Sequence, residues 1–291
     1  MARVSFVERL KRSGVALAWL FLFLVIGIAA TLALAFALSP LGGRAWWLAR
    51  NGLAQAGGFA VATLLVGRRL DRHSWSALGW AEPRRLPRWF GLGLIIGAAM
   101  AAVAIAITLA DGAAVRLTPH LGDFLPVAGP LALGLTAAAL SEELMFRGYT
   151  LRRLAEAIGP EAATLLVAFG FAVAHLANPN VTAFGTVNIA LAAVWLSVAF
   201  FSAGGMALAW GLHTGWNAAI GVVFDAPVSG MRFDVPGVDY ELGRHWWVGG
   251  GTFGPEGGAV ATLVLIAGTA ALLGRRWRQP TRWLSPGEVA A

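Results

Sequence analysis

The chain has 291 residues, of which 58% are hydrophobic and only 13% charged, and its mean hydropathy is +0.69. Soluble domains carry about 25% charged residues, so this composition excludes an ordinary soluble enzyme and a disordered chain and points to repeated membrane spans. The formal charge of +7 reads as loop charge that sets orientation in a bilayer rather than as a nucleic-acid surface, and the absence of cysteine excludes a disulfide framework, a thiolate metal site and a cysteine nucleophile.

Apolar stretches long enough to cross a bilayer are predicted at about 16–38, 46–66, 90–110, 126–147, 160–177, 185–203, 205–224 and 257–273. They predict an all-α, polytopic membrane helix bundle of about eight transmembrane helices. Arg3, Arg9, Lys11 and Arg12 precede the first stretch, and Ala35-Phe36-Ala37 resembles a signal-peptide cleavage site. Its apolar run exceeds the roughly 7–15 residues of a signal-peptide core, so it is read as a retained span. Residues 67–89 form a basic, proline-containing segment in which Trp75, Leu78, Trp80 and Trp89 are expected at the headgroup layer. Residues 225–256 form a long glycine-rich loop, with Trp246-Trp247 followed by Gly249-Gly250-Gly251, whose aromatics favour packing over disorder.

Loop charge supplies the orientation. With the N-terminus inside, seventeen basic residues fall on the cytoplasmic side and five (Arg44, Arg50, Arg116, Arg232, Arg244) on the outer side. That asymmetry fits an even number of spans with both termini cytoplasmic. The chain divides into residues 1–124 (three spans and the basic loop), 125–224 (the polar-bearing core of four spans) and 225–291 (the outer loop, last span and basic tail).

Charge inside a hydrocarbon layer costs about 2.5–3.5 kcal/mol on insertion scales, and it is concentrated in one place. Glu142-Glu143-Leu-Met-Phe-Arg147 lies on the fourth span. Glu143 and Arg147 are i, i+4 with the acid first, the favourable order for a self-neutralising helical pair. Glu142 has Phe146 at that spacing and must face protein or a wet cavity. His175 follows Phe171 by four residues on the fifth span, and His213 precedes Asn217 by four on the seventh, which places the last two on one face. A lone helical histidine is more often a packing residue. Two of them with an asparagine and an unpartnered acid on three apolar helices point to a site. Gly211 and Gly215 flank His213 at a spacing that lets helices approach closely. At about 1.5 Å per residue, Glu142 reaches the depth of the histidines only if the fourth helix tilts or runs on past Arg147 through Arg152-Arg153.

A buried glutamate near histidines can activate water, and a histidine and asparagine on one face can donate to an oxyanion. The chain has no H-E-x-x-H or G-x-S-x-G motif, and no pair of aspartates in the predicted spans. The ordered set Glu142-Glu143-x-x-x-Arg147-Gly148, Phe171-x-x-x-His175 and His213-x-x-x-Asn217 resembles the three motifs of the CPBP family, the CaaX proteases and bacteriocin-processing or Abi-type membrane proteins, over about residues 135–222. The segments 227–230 and 250–257 resemble the region after the third motif in a bacterial subgroup.

The resemblance implies an intramembrane endopeptidase acting on a membrane-associated or lipidated protein or peptide, in the inner membrane of a bacterial cell. It implies Glu142 as water-activating base, His175 as its assistant, His213 and Asn217 as oxyanion donors, and Glu143, Arg147 and Phe171 as support. Cofactor dependence stays open. Two histidines and a carboxylate could supply three ligands (Glu142, His175, His213) of a divalent metal such as zinc, whereas an asparagine at the fourth corner suits an oxyanion better. Two other readings compete. One is an inert adaptor or immunity protein of the same fold. The other is a proton-coupled transporter, which would more often show inverted repeats and broken helices in both halves.

Overall fold

The computed structural model describes residues 6–43, 46–80, 83–119 and 121–274. Arg3, Arg44 and the arginines from Arg275 onward, which entered the loop-charge reading, lie outside the described residues. A helix occupies each of the eight apolar stretches. They are α1 (Phe6–Leu38), α2 (Trp47–Ala62, continued by π-helical turns to Leu70), α3 (Leu86–Ala110), α4 (Phe124–Glu143), α6 (Pro160–Ala174), α7 (Ala183–Phe200), α8 (Gly205–Ala218, continued to Val223) and α10 (Ala259–Leu273). The short α5 (Tyr149–Ile158) extends α4, and α9 is a single turn at Trp246–Gly249. Four segments are long and apolar enough to cross a membrane by length and composition: Lys11–Leu38, Leu86–Ala110, Phe124–Ile158 and Ala183–Phe200. Phe21, Phe36, Ile95, Leu165, Phe169 and Leu263 stand exposed on the outside of the bundle, as suits surfaces facing lipid. The protein is an integral membrane protein.

Close helix contacts rest on small residues. Gly93 and Gly97 of α3 face Gly211 and Gly215 of α8. A Cβ on Gly97 would sit 2.1 Å from Leu212 O, and one on Gly215 2.1 Å from Leu94 O. Backbone therefore meets backbone, which is how helices associate where lipid removes the hydrophobic drive. Gly211 and His213 are two residues apart, about 200° around a helix. The glycine face of α8 is thus pinned to α3 while its His213–Asn217 face is turned the other way.

The fourth span runs on through Arg152 and Arg153 to Ile158, passing through a π-helical turn at Leu144–Gly148. That continuation is the condition under which Glu142 reaches the depth of the histidines. The fifth span ends sooner than expected: α6 stops at Ala174, and His175 caps it with φ −96° and ψ 0°. The turn Ala177-Asn178-Pro179-Asn180 then redirects the chain. Leu78, expected at the headgroup layer, is instead fully buried in the main core. Its neighbour Trp75 is 45% exposed.

The segment 225–258 is ordered by specific pairings. Its strand β2 (Val238–Glu241) runs antiparallel to β1 (Ala114–Leu117), with Val115 opposite Tyr240. Tyr240 donates to Thr108 Oγ1 at 3.0 Å, and burial raises its phenol above the ordinary value. Asp111 accepts from the backbone and the Nδ1 of His245 at 2.9 and 2.6 Å, and these bonds lower its carboxyl below the usual range. Only glycine fits at Gly230 (φ +84°), where a Cβ would lie 1.8 Å from Pro179 O. The segment is thereby fastened onto the turn that follows His175.

Candidate active site

Three helices bring the motif residues to one cavity of about 280 Å³, lined by Glu142, His175, His213 and Asn217 among others. The C-terminal end of α4 supplies Glu142 and Glu143, the cap of α6 supplies His175, and α8 supplies His213 and Asn217. Trp210 Nε1 donates to Thr136 O at 2.9 Å and ties α8 to α4 just before these residues.

Each imidazole is oriented by an acceptor at Nδ1. His175 Nδ1 lies 2.7 Å from Phe171 O, and His213 Nδ1 lies 2.9 Å from Glu143 Oε1. A carbonyl and a carboxylate can only accept, so both Nδ1 atoms carry hydrogen and both Nε2 atoms are left for the cavity. The Nε2 atoms converge on one oxygen: Glu142 Oε2 is 3.9 Å from that of His175 and 3.7 Å from that of His213. These gaps are too long for direct hydrogen bonds. Glu142 Oε2 is itself buried without a hydrogen-bond partner.

Behind this cluster, Glu143 and Arg147 are fully buried and joined at 3.1 Å through Glu143 Oε1. The expected i, i+4 pair is present, but it is not self-contained, since the same oxygen also receives His213. Arg147 lies over the Phe171 ring, 4.3 Å from guanidinium carbon to centroid. The other face of the site is aromatic too: Phe171 packs 4.4 Å from His175 and 5.0 Å edge-on to Phe146. Phe171 thus links the supporting arginine to the imidazole through ring and carbonyl.

Glu142, His175 and His213 are the donors a metal would take. Zinc would need all three within about 2.0–2.2 Å of one point, and no group of three His, Asp or Glu side chains among the described residues is arranged to hold an ion. As placed, this set does not form a coordination shell.

The cavity also holds residues to which sequence reasoning assigned no role, although Ser229 and Glu256 lie in the segments 227–230 and 250–257 that resemble a bacterial subgroup. Glu256, from the turn before α10, accepts from Trp216 Nε1 at 2.9 Å and from Ser229 Oγ at 2.8 Å. Asn178 donates to Ser229 O at 3.1 Å. Asn188 donates to the backbone oxygens of Glu256 and Gly258 at 2.8 and 2.9 Å. The available signal was a glutamate among glycines in a loop too long to be idle. An acid in a loop, however, carries no cost until the loop is packed.

No curated protein and no solved structure matches the chain. Residues 124–219, from the start of α4 to just past Asn217, match the family described as Type II CAAX prenyl endopeptidase Rce1-like. All three motifs lie within that match, in agreement with the CPBP resemblance, and the α4–α8 region is similar to the Rce1-like CAAX-type proteases.

Proposed function

We propose that the protein is an intramembrane endopeptidase that hydrolyses a peptide bond of a membrane-associated or lipidated protein or peptide by glutamate-activated water. The observation that carries this reading is the convergence of two imidazole Nε2 atoms on Glu142 Oε2, at 3.7 and 3.9 Å, within a cavity of about 280 Å³. Water between these groups gives its proton to Glu142 and attacks the scissile carbonyl. His175 Nε2 takes this proton on from Glu142 and gives it to the amine that departs as the C–N bond breaks, and His213, its Nδ1 hydrogen held by Glu143, donates from a protonated Nε2 to the oxyanion. Asn217 lies one turn beyond His213 on the same face and donates to the oxyanion, in surroundings where such bonds are strong because little water competes. Glu143 holds the His213 ring and Arg147 offsets the buried charge, so both are positioning residues.

This scheme routes no step through a metal. Elemental analysis of purified protein together with chelator treatment checks it: metal-free protein that cleaves, and chelators without effect, are expected. The loop-charge asymmetry supports both termini being cytoplasmic. The likeness of 227–230 and 250–257 to bacterial members supports a bacterial inner membrane. The decisive experiment is cleavage of a membrane reporter by folded wild-type protein and by Glu142→Ala, His175→Ala and His213→Ala. Each variant is expected to lose cleavage. Retained cleavage in Glu142→Ala overturns the mechanism. No cleavage by wild type, with substrate-independent ion flux instead, would favour the transporter reading.

A further inference from the structure

His175 caps α6 rather than lying within it, so the helix only half fixes the backbone that carries it. The helix of His213 is held more firmly, by its glycines against α3 and by Trp210 on Thr136 O. Glu256, outside residues 124–219 and outside the three motifs, joins the two. One carboxylate oxygen accepts from Trp216 Nε1 at 2.9 Å, and Trp216 lies on α8 between His213 and Asn217. The other oxygen accepts from the backbone N–H of Ser229 and, at 2.8 Å, from its Oγ. Ser229 O in turn accepts from Asn178 Nδ2 at 3.1 Å, and the backbone N–H of Asn178 donates to His175 O at 3.1 Å. Hydrogen bonds therefore run without a break from His175 to the helix of His213. Asn188 anchors the glutamate's own backbone through Glu256 O and Gly258 O, and its Oδ1 accepts from Thr262 Oγ1 at 2.6 Å.

We infer that Glu256 is a positioning residue that sets the spacing between His175 and His213, and with it the approach of both Nε2 atoms to Glu142 Oε2. The inference rests on the proteolytic reading of the same site. A carboxylate suits this task because both of its oxygens accept, and the groups it meets are N–H and O–H donors. A carboxamide accepts at one end only. Its NH2 group would face a donor, and one end of the bridge would open. Glu256 acts on the reaction through the histidines alone, and a displacement of about 1 Å at a reacting group can cost about 10²-fold in rate.

The test compares full-length wild type, Glu256→Gln, Trp216→Phe and the double variant in detergent micelles, with cleavage of a membrane reporter counted per folded molecule. Each single variant is expected to lower kcat by about 10²-fold with KM unchanged. They cut the same bridge, so the double variant is expected to be no slower than the slower single one, rather than down by about 10⁴-fold. Should Glu256→Gln not fold, Trp216→Phe, which keeps an aromatic ring in place, is read alone. A second readout needs no cleavage. In protein carrying isotope-labelled histidine, read by nitrogen NMR, the imidazole signals of His175 are expected to broaden or split in both single variants. Those of His73 and His245, held in other pairings, are expected to stay in place. A lower melting temperature with kcat and the His175 signals unchanged would make Glu256 a merely structural residue and overturn the inference. A change confined to KM, or additive losses in the double variant, would overturn it too. Failure of wild type to cleave counts against the protease reading, while the His175 signals still judge the positioning.

Discussion

The helix formed by α4 and α5 carries two clusters of acids, arginines and histidines, and they are wired differently. In the cluster towards its C-terminal end, every acid is claimed. Asp71 accepts from Tyr149 at 2.7 Å and pairs with Arg153 at 3.2 Å. Glu156 takes Arg152 at 2.7 Å, Arg153 at 3.2 Å and His73 at 3.1 Å. This cluster fastens the segment after α2 to α5. In the cluster around Glu142, Glu143 takes both Arg147 and His213, while Glu142 is left with two imidazoles just beyond bonding distance. Around Glu156 the acids are paired completely, whereas Glu142 Oε2 is left without a hydrogen bond beside two oriented histidines, as its proposed role as base requires. Composition does not separate the two clusters; the gap of 3.7–3.9 Å around one oxygen does.

The largest effects test that difference directly. Glu142→Gln is expected to remove about 10²–10⁴-fold of the cleavage rate and to leave thermal stability unchanged or raised, because Glu142 Oε2 has no hydrogen bond to lose. Glu143→Gln is expected to do the reverse in stability. Arg147 would be left buried without its counter-charge, costing about 3–5 kcal/mol, and the His213 ring would lose its acceptor. Melting curves of both variants in one detergent, set beside reporter cleavage, read the dissociation. Equal destabilisation by the two substitutions would erase the distinction between a paired and a reserved acid. Next in size is Asn217→Ala. Loss of one oxyanion donor is expected to lower kcat by about 10²–10³-fold with little change in KM, and a fall confined to KM would assign Asn217 to substrate binding instead.

Much of this site was legible in the sequence because a bilayer makes polar residues expensive. Glu142, His175, His213 and Asn217 stood out against apolar helices, and their order supplied the rest. What lay beyond reach depended on contacts between elements. Nothing in the spacing of Glu143 and Arg147 indicates that His213, 70 residues later, shares the same oxygen. The π-helical turn at Leu144–Gly148 leaves no compositional mark. Strands β1 and β2 are four residues each, more than a hundred residues apart, and carry no hairpin turn to announce them. Leu78 resembled an interfacial residue because its tryptophan neighbours do, and packing decided otherwise. Asp71, His73 and Glu156 sit in polar sequence where charge is unremarkable, so their mutual pairing was invisible.

Smaller effects are expected at the fully claimed cluster. Glu156→Gln removes the charge shared by Arg152, Arg153 and His73, at a cost of about 1–3 kcal/mol, and is expected to leave kcat unchanged. A large loss of kcat with stability intact would mean that this cluster also serves the reaction, and the comparison would fail from the other side.

The smallest and most diagnostic case is Asp225, a third kind of buried acid that is only partly compensated. It accepts from Val235 N at 2.9 Å and faces Arg232 at 3.6 Å. Burial outweighs both and raises its carboxyl from 3.8 to about 6. The folded state therefore holds this proton more tightly than the unfolded chain does. The stabilisation is full below about pH 4 and is lost as pH rises through about 6. Asp225→Asn keeps an acceptor for Val235 and has no charge to bury. Its Tm is expected to match wild type near pH 4 and to exceed it by about 2–4 °C at pH 8. A variant less stable than wild type at pH 8 would show that the Arg232 pairing outweighs the cost of burial. Asp225 would then belong with the fully claimed acids, and partial pairing at 3.6 Å would no longer mark an acid as under-compensated. The same gap around Glu142 would lose its meaning with it, because the argument for a reserved acid depends on such distances being too long to satisfy the charge.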